Sequence, residues 1–340
     1  MRRRPGCTDR GGLMIIGEYV TKSHWLFGAS TYLIDRIVPA VEPIRLPPAI
    51  SAGGTISAVR GQTDVLAPTR TGLRAARHRL RPDQRRHVVD GPVVDLRWGE
   101  PENWSHALMT HLPLVTAATP FIGRMPTVVL PFRTPLFVHS VFETIGYTVV
   151  KTDWTVEGQV WDIRCDDLDC LKQATSPIMK DAAVLLNAAG SASSADLPTR
   201  IFVARKGTRA IRNHAQIEEK LTGLGYTTIY PEEHPIADQF RLFDRATHIV
   251  GIHGAGLSPI CYRATDRPQL QFVEILPAAH MTNFFRVAAD QIGATYAAVR
   301  GRITVADAGA AYGKSPYFAR SLDQFEVDPD TVDMAIAAVE

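Results

Sequence analysis

The stretch HIVGIHGAGLSP, residues 248–259, decides how this chain is read. A short apolar run, Ile249 to Ile252, stops at His253-Gly254-Ala255-Gly256. Such a pattern predicts a buried strand ending in a turn with bare backbone N–H groups. Bare N–H groups ahead of a helix N-terminus, which carries about half a positive charge, can cradle a phosphate. A plain tight turn is the simpler alternative. An oxyanion hole for acyl transfer would need a G-x-S-x-G nucleophile elbow. None occurs, since GSASS at 190–194 lacks the second glycine. A dinucleotide fingerprint would need G-x-G-x-x-G, whereas the glycines here are Gly251, Gly254 and Gly256. Pro259 has no N–H and is tolerated only in a first helical turn. The following helix is therefore expected to begin no earlier than Gly256, with 253–256 as a loop.

Working outward, the second half alternates. Strands are expected at Ile201–Ala204, Tyr226–Tyr230, Leu270–Leu276 and Thr295–Val299. Helices are expected at Asn213–Leu224, Ile236–Arg245 and Asn283–Ile292. In the first half, strands are expected at Val93–Trp98, Thr127–Phe132, Tyr147–Lys151 and Gln159–Arg164, with helices at Asn103–Ala118 and Pro135–Ile145. Short β runs alternating with longer helical ones predict βαβ units, a parallel sheet and an α/β fold. Ligands on such sheets bind at the carboxyl ends of the strands, the edge where HGAG and Glu274 would lie. The small, polar run 186–199 reads as a linker. The expected divisions are a disordered leader 1–13, an N-terminal α/β domain 14–190, a C-terminal Rossmann-like domain 195–310 and a tail with a helix at 311–340. Residues 14–65 show only scattered short β-like runs.

Bulk composition excludes some classes. The 340 residues carry a net charge of +2, which gives no global electrostatic case for nucleic acid. No apolar run approaches the ~18 residues of a membrane span. Met1-Arg2-Arg3-Arg4 resembles a signal-peptide start, but no long apolar segment follows; Met14 is an alternative start. Of the cysteines at 7, 165, 170 and 261, only the middle two are close, and one C-x4-C pair is no zinc site. They read as reduced thiols of a cytoplasmic protein. Asp167 and Asp169 form an isolated D-x-D in a loop-like stretch, read as a solvated acidic turn.

Two basic stretches stand out. Arg205, Lys206, Arg209 and Arg212 follow the strand Ile201–Ala204 closely. Arginine matches phosphate oxygens with two parallel donors, so a second strand end in the same sheet offers an anion site. A solvated basic loop is the plainer reading. Residues 70–87 hold seven arginines. They read as a solvated helix face, or as a patch (Arg74–Arg86) for peripheral contact with an anionic membrane.

Residues 200–263 resemble the C-terminal half of glycosyltransferase family 61, and matches to the family extend over about residues 91–335. The matching residues are Arg205-Lys206, Arg212-Asn213, Gln239, the His253–Leu257 run, Val273 to Pro277, and Phe284 through Gly293 to Tyr296. Upstream, Glu102 to Pro113 (ENWSHALMTHLP) resembles the family's histidine-bearing helix. The chain departs from the pattern at Thr110, where the family has an acid, at Pro259 and at Ala204. The resemblance implies a GT-B-like pair of Rossmann-type domains facing a central cleft, in a bacterial enzyme of surface-polysaccharide type. It implies inverting transfer from a nucleotide-sugar donor, usually a UDP-sugar, to a glycan or glycolipid, with no metal and no cofactor. Arg205, Arg212 and the amides of Gly254, Ala255, Gly256 and Leu257 would hold the leaving diphosphate, and Glu274 the ribose. His106, sharing a helix face with Asn103 and Thr110, would be the base. His253 would be an alternative base, or a donor to sugar or diphosphate. Asn213 and Gln239 would support the site, while His111 and His139 have weaker claims. Loss of the acid at Thr110 leaves a non-catalytic nucleotide-sugar or glycan-binding module as the rival reading. A phosphate-dependent epimerase or phosphorylase is a third.

Overall fold

The computed structural model describes residues 14–16, 34–38, 56–67, 69, 86–165, 177–189, 197–277, 284–302 and 322–340. The strands, in chain order, are β1 (Met14–Ile16), β2 (Ile34–Val38), β3 (Ile56–Arg60), β4 (Val65–Leu66), β5 (Arg86–Asp95), β6 (Thr127–Leu130), β7 (Thr148–Lys151), β8 (Thr155–Cys165), β9 (Arg200–Val203), β10 (Thr227–Ile229), β11 (His248–Ile252), β12 (Gln271–Leu276) and β13 (Thr295–Arg300). The longer helices are α1 (Leu112–Ile122), α2 (Leu136–Thr144), α3 (Pro177–Ala189), α4 (His214–Gly223), α5 (Ile236–Arg245), α6 (Phe284–Gln291) and α7 (Pro329–Val339). The chain is α/β, with two sheets of mostly parallel strands.

Two compact units are present, and neither is one continuous stretch. The first comprises 1–45, 195–234 and 242–340; the second comprises 46–194 and 235–241. Strands β1 and β2, expected with the N-terminal half, extend the C-terminal sheet instead. β2 pairs antiparallel to β13, and β1 to β2. Strand pairing is non-local, so position along the chain does not fix the sheet that a strand joins.

In the first unit the strand order is β1-β2-β13-β12-β11-β9-β10. From β9 the chain goes to β10 on one side and then to β11 on the other. The order reverses between β9 and β11, which is where a crevice forms at the carboxyl ends of such sheets. β11, β12 and β13 are buried along nearly their whole length, as expected of parallel strands covered on both faces. One face packs Phe202, Val250, Val273 and Val299 against Ile217 and Leu221 of α4 and Val332 and Ile336 of α7. Full burial of each such side chain stabilises by about 1.5–3 kcal/mol. In the second unit the order is β3-β8-β5-β6-β7, with β4 also on β8. β6 and β8 flank β5 in parallel, so this order too reverses at β5.

Two local expectations shift. The helix after HGAG begins at Ala255, not Gly256, and it is a 310 helix that runs to Tyr262 with Pro259 inside. Its N-cap, Gly254, has φ 159° and ψ 175°. The expected linker 186–199 is helical as far as Ala189, because Leu186 continues the buried stripe of Met179, Ala182 and Ala183. Its residues 190–196 lie outside the described ones. So do the leader 1–13, most of the 70–87 arginines, and Asp167 and Asp169. Arg86 is described, and it pairs with Glu157.

Candidate active site

The carboxyl ends of β9 and β11 lie side by side, since Val203 is in register with Gly251. Gly251 has no room for a Cβ, because the Leu257 side chain occupies that space. The 310 helix can therefore fold directly back over the strand end. A Cβ on Gly254 would overlap the Arg205 guanidinium. The first strand end thus lays its arginine against the glycine turn of the second. Arg205 is held there by Nε donating to the Thr208 carbonyl at 2.7 Å and Nη2 to Thr208 Oγ1 at 3.2 Å. Burial draws its pKa down from the ordinary arginine value, and Glu232 opposes that shift.

Among the described residues, the N–H groups of Gly254, Ala255 and Gly256 have no acceptor. They are the orphan donors of a helix start. Leu257 differs from expectation. Its N–H donates to the Gly254 carbonyl at 3.0 Å and its side chain is fully buried. Among the described residues, the amides left without an acceptor at this turn are therefore those of 254–256.

The rest of the basic cluster divides. Lys206 pairs with Glu233 and lies 4.3 Å over the Tyr230 ring; its hydrogen bond to Glu233 raises its pKa. Arg212 is exposed, without a side-chain partner among the described residues, and its N–H donates to the Phe325 carbonyl at 2.7 Å. Asn213, expected to support the site, clamps the backbone of Val327. It donates to that carbonyl at 2.7 Å and accepts from that N–H at 3.1 Å. Its role is to tie the 205–213 loop to the C-terminal stretch.

Glu274 also departs from its expected ribose contact. It is 1% exposed within β12. One carboxylate oxygen bonds His253 Nδ1 and the other accepts from the Tyr296 hydroxyl at 2.5 Å. His253 is itself buried, with its ring edge-on to Phe285 at 5.5 Å between centroids. Tyr296 closed the sequence match at 284–296, but no pattern in the sequence assigned it a role.

In the second unit the histidine helix follows the carboxyl end of β5. Asn103 caps it, its side chain accepting from the Ser105 N–H at 2.9 Å. A turn Trp104–His106 passes into a π-helix, Ala107–His111, before α1. Pro113 supplies the cause: it lacks the N–H that a regular ladder needs, and the turn widens ahead of it. Asn103 and His106 are exposed and Thr110 half-buried, whereas Trp104, Ala107, Leu108 and His111 are buried. The three residues therefore do share the outer face. His106 Nδ1 lies 3.1 Å from the Gly99 carbonyl and 3.8 Å from Glu100. A carbonyl only accepts, so Nδ1 carries the hydrogen and Nε2 can take a proton in the neutral ring.

His111 reaches the same carbonyl through Nε2 at 3.4 Å and packs edge-on to Trp98 at 4.7 Å. Burial pulls its pKa down to about 4, which makes it a neutral packing residue. His139 pairs with Glu143 on α2 at 3.2 Å. Gln239 is buried near the start of α5. Among the described residues no group of three or more His, Cys, Asp or Glu could hold a metal ion. No helix among them is long and apolar enough to cross a membrane.

No curated protein gives a significant match to the chain. The family described as Glycosyltransferase 61 matches it over residues 68–267, well over half of its length and spanning both the histidine helix and the HGAG turn. The chain belongs to glycosyltransferase family 61: it is a glycosyltransferase.

Proposed function

We propose that the enzyme is an inverting, metal-independent transferase. It moves a sugar from a nucleotide-sugar donor, a UDP-sugar, to a hydroxyl group of a glycan or glycolipid. The observation that carries this reading is the seating of Arg205 against Gly254 beside the 254–256 amides. There a fixed cation and backbone donors converge where the charge of a departing diphosphate would develop. Preorganised donors of this kind lower a barrier because they need no reorganisation during the reaction. Arg212, exposed on the same loop, is a second cation able to reach the ligand.

In the transfer, the acceptor oxygen bonds to the anomeric carbon on the face opposite the diphosphate. The bond from that carbon to the diphosphate oxygen breaks, and its electron pair leaves with the diphosphate. The acceptor proton goes to a base. His106 fits that role, with Nδ1 anchored on the Gly99 carbonyl and Asn103 and Thr110 beside it. A GT-B-like arrangement, with the second unit on the acceptor side and the first on the donor side, belongs to the same reading.

Thermal denaturation with UDP and UDP-sugars, with and without Mg2+, tests the proposal on wild type and Arg205→Ala. A ligand at 100 times its Kd stabilises by about 2.7 kcal/mol. Stabilisation of wild type without metal, and its loss in the variant, is the expected result. Failure of every nucleotide to stabilise wild type would sink the reading.

A further inference from the structure

We propose that His111, beyond its packing, is a positioning residue: its ring and that of His106 share the Gly99 carbonyl as a clamp that keeps Nε2 of His106 free to take the acceptor proton. The inference rests on the base role given to His106 above. His106 Nδ1 lies 3.1 Å from the carbonyl oxygen and His111 Nε2 lies 3.4 Å from it. A carbonyl oxygen only accepts, and it has two lone pairs, so each ring offers it an N–H. In His111 the hydrogen is then on Nε2, and Nδ1 is bare. That agrees with its surroundings. The residue is fully buried, and Nδ1 has no hydrogen-bond partner among the described residues. Burial keeps the ring neutral, with its pKa drawn down to about 4. An orphan nitrogen in the core is a cost that phenylalanine would avoid. What histidine adds at this position is a second donor to the carbonyl.

The helix serves the same end. His106 and His111 are five residues apart, and a regular helix sets such residues about 140° apart around its axis. Here the Leu112 N–H donates to the Ala107 carbonyl, the five-residue step of a π-turn. Winding of that kind brings residues i and i+5 toward one side, so both rings can reach one oxygen. The carbonyl itself belongs to a peptide in an unfavourable conformation. Gly99 and Glu100 have φ of 62° and 57°. The left-handed region is easy for glycine and costly for glutamate, and it persists only where the surroundings impose it. Two ring donors on that peptide impose it here. His111 is in turn set by Trp98, edge-on at 4.7 Å, whose Nε1 donates to the Asp95 carbonyl at 3.0 Å at the end of β5. All of these residues lie in one compact unit. The consequence is a fixed tautomer. A free neutral imidazole prefers its hydrogen on Nε2, so His106 has to be held to carry it on Nδ1. The titratable groups facing His106 among the described residues are His111 and Glu100, the latter exposed and 3.8 Å away.

The 15N spectra of the histidine rings at about pH 8, above their ordinary titration range, read the tautomers directly. The His106 signals are identified by their loss in His106→Gln. Wild type should carry hydrogen on Nδ1 of His106 and on Nε2 of His111. In His111→Phe, which fills the space without a donor, the His106 equilibrium should move about twofold to tenfold toward the Nε2–H form, the equivalent of one neutral hydrogen bond. His111→Gln, whose side-chain amide supplies an N–H at the same reach, should restore the wild-type tautomer. Release of UDP from UDP-glucose should follow the spectra: in His111→Phe kcat falls by the same factor and KM holds, since the proposed donor residues belong to the other unit. If His111→Phe does not fold, the wild-type spectra still decide, because hydrogen on Nε2 of His106 or on Nδ1 of His111 overturns the clamp. An unchanged His106 tautomer in His111→Phe overturns it too, as does failure of His111→Gln to restore it. Equal release of UDP by His106→Gln and wild type overturns the base role and leaves the clamp standing.

Discussion

Replacing Gly254 by alanine should weaken the proposed donor site at modest cost to the fold. At φ 159° and ψ 175° the residue occupies a region nearly confined to glycine. Alanine there adds strain of about 1–3 kcal/mol. Its Cβ would also overlap the Arg205 guanidinium. That group is the far end of a flexible chain, so it swings away and gives up its 2.7 and 3.2 Å bonds to Thr208. Losing one cationic hydrogen-bonding group from a diphosphate is worth about 1.5–3 kcal/mol. UDP affinity should fall roughly tenfold to a hundredfold. Gly256→Ala is the control. Its Cβ meets only Pro231 Cγ at 3.7 Å, an ordinary contact, and stability should stay within about 0.5 kcal/mol of wild type. Calorimetry on Gly254→Ala, Arg205→Ala and the double variant separates the causes. If both changes act through the guanidinium, the double variant binds no more weakly than either single one. Full affinity in Gly254→Ala, or losses that simply add, would refute the argument.

Three further outcomes follow from buried and half-buried groups. His111 has a folded pKa near 4, below its ordinary 6.5; the stability it confers is complete above pH 6.5 and is lost as pH falls through about 4. The swing is about 3 kcal/mol at 1.36 kcal/mol per unit, so urea melts of wild type should weaken on acidification more than those of His111→Phe. Burial pushes the Cys261 thiol up to about 12, so peptide mapping after thiol labelling should find it unmodified until urea unfolds the chain. Asn213→Ala should cost about 1–3 kcal/mol through its lost bonds to Val327, with UDP affinity unchanged.

Much of the parallel core was legible because fully buried strands are apolar runs. The expected bounds of β11 and α5 match the observed ones. Periodicity found the histidine helix but could not show the π-turn, since one missing donor at Pro113 leaves the apolar spacing almost unchanged. The 310 helix escaped for a related reason: Pro259 argues against a regular helix, not against a tighter one. Glu274 shows the limit on the site side. Its position late in a strand suggested a ligand contact. Only the register of β11, β12 and β13 reveals that the carboxylate faces a histidine and a tyrosine instead. The pairing of β2 with β13 is likewise invisible in a stretch with no motif.

That pairing bears on how the protein can be taken apart. The outer backbone of β13, residues 296–299, is occupied by β2. A fragment starting near residue 195 would carry every residue of the proposed donor site, and it would also carry β13 as a raw border. Unpaired N–H and C=O groups along an apolar strand recruit other strands, so such a fragment would tend to self-associate through β13. Adding a peptide that spans residues 34–38 should keep it monomeric. Residues 14–16 and 34–38 belong to no recognisable motif, yet they act as the hem of the sheet.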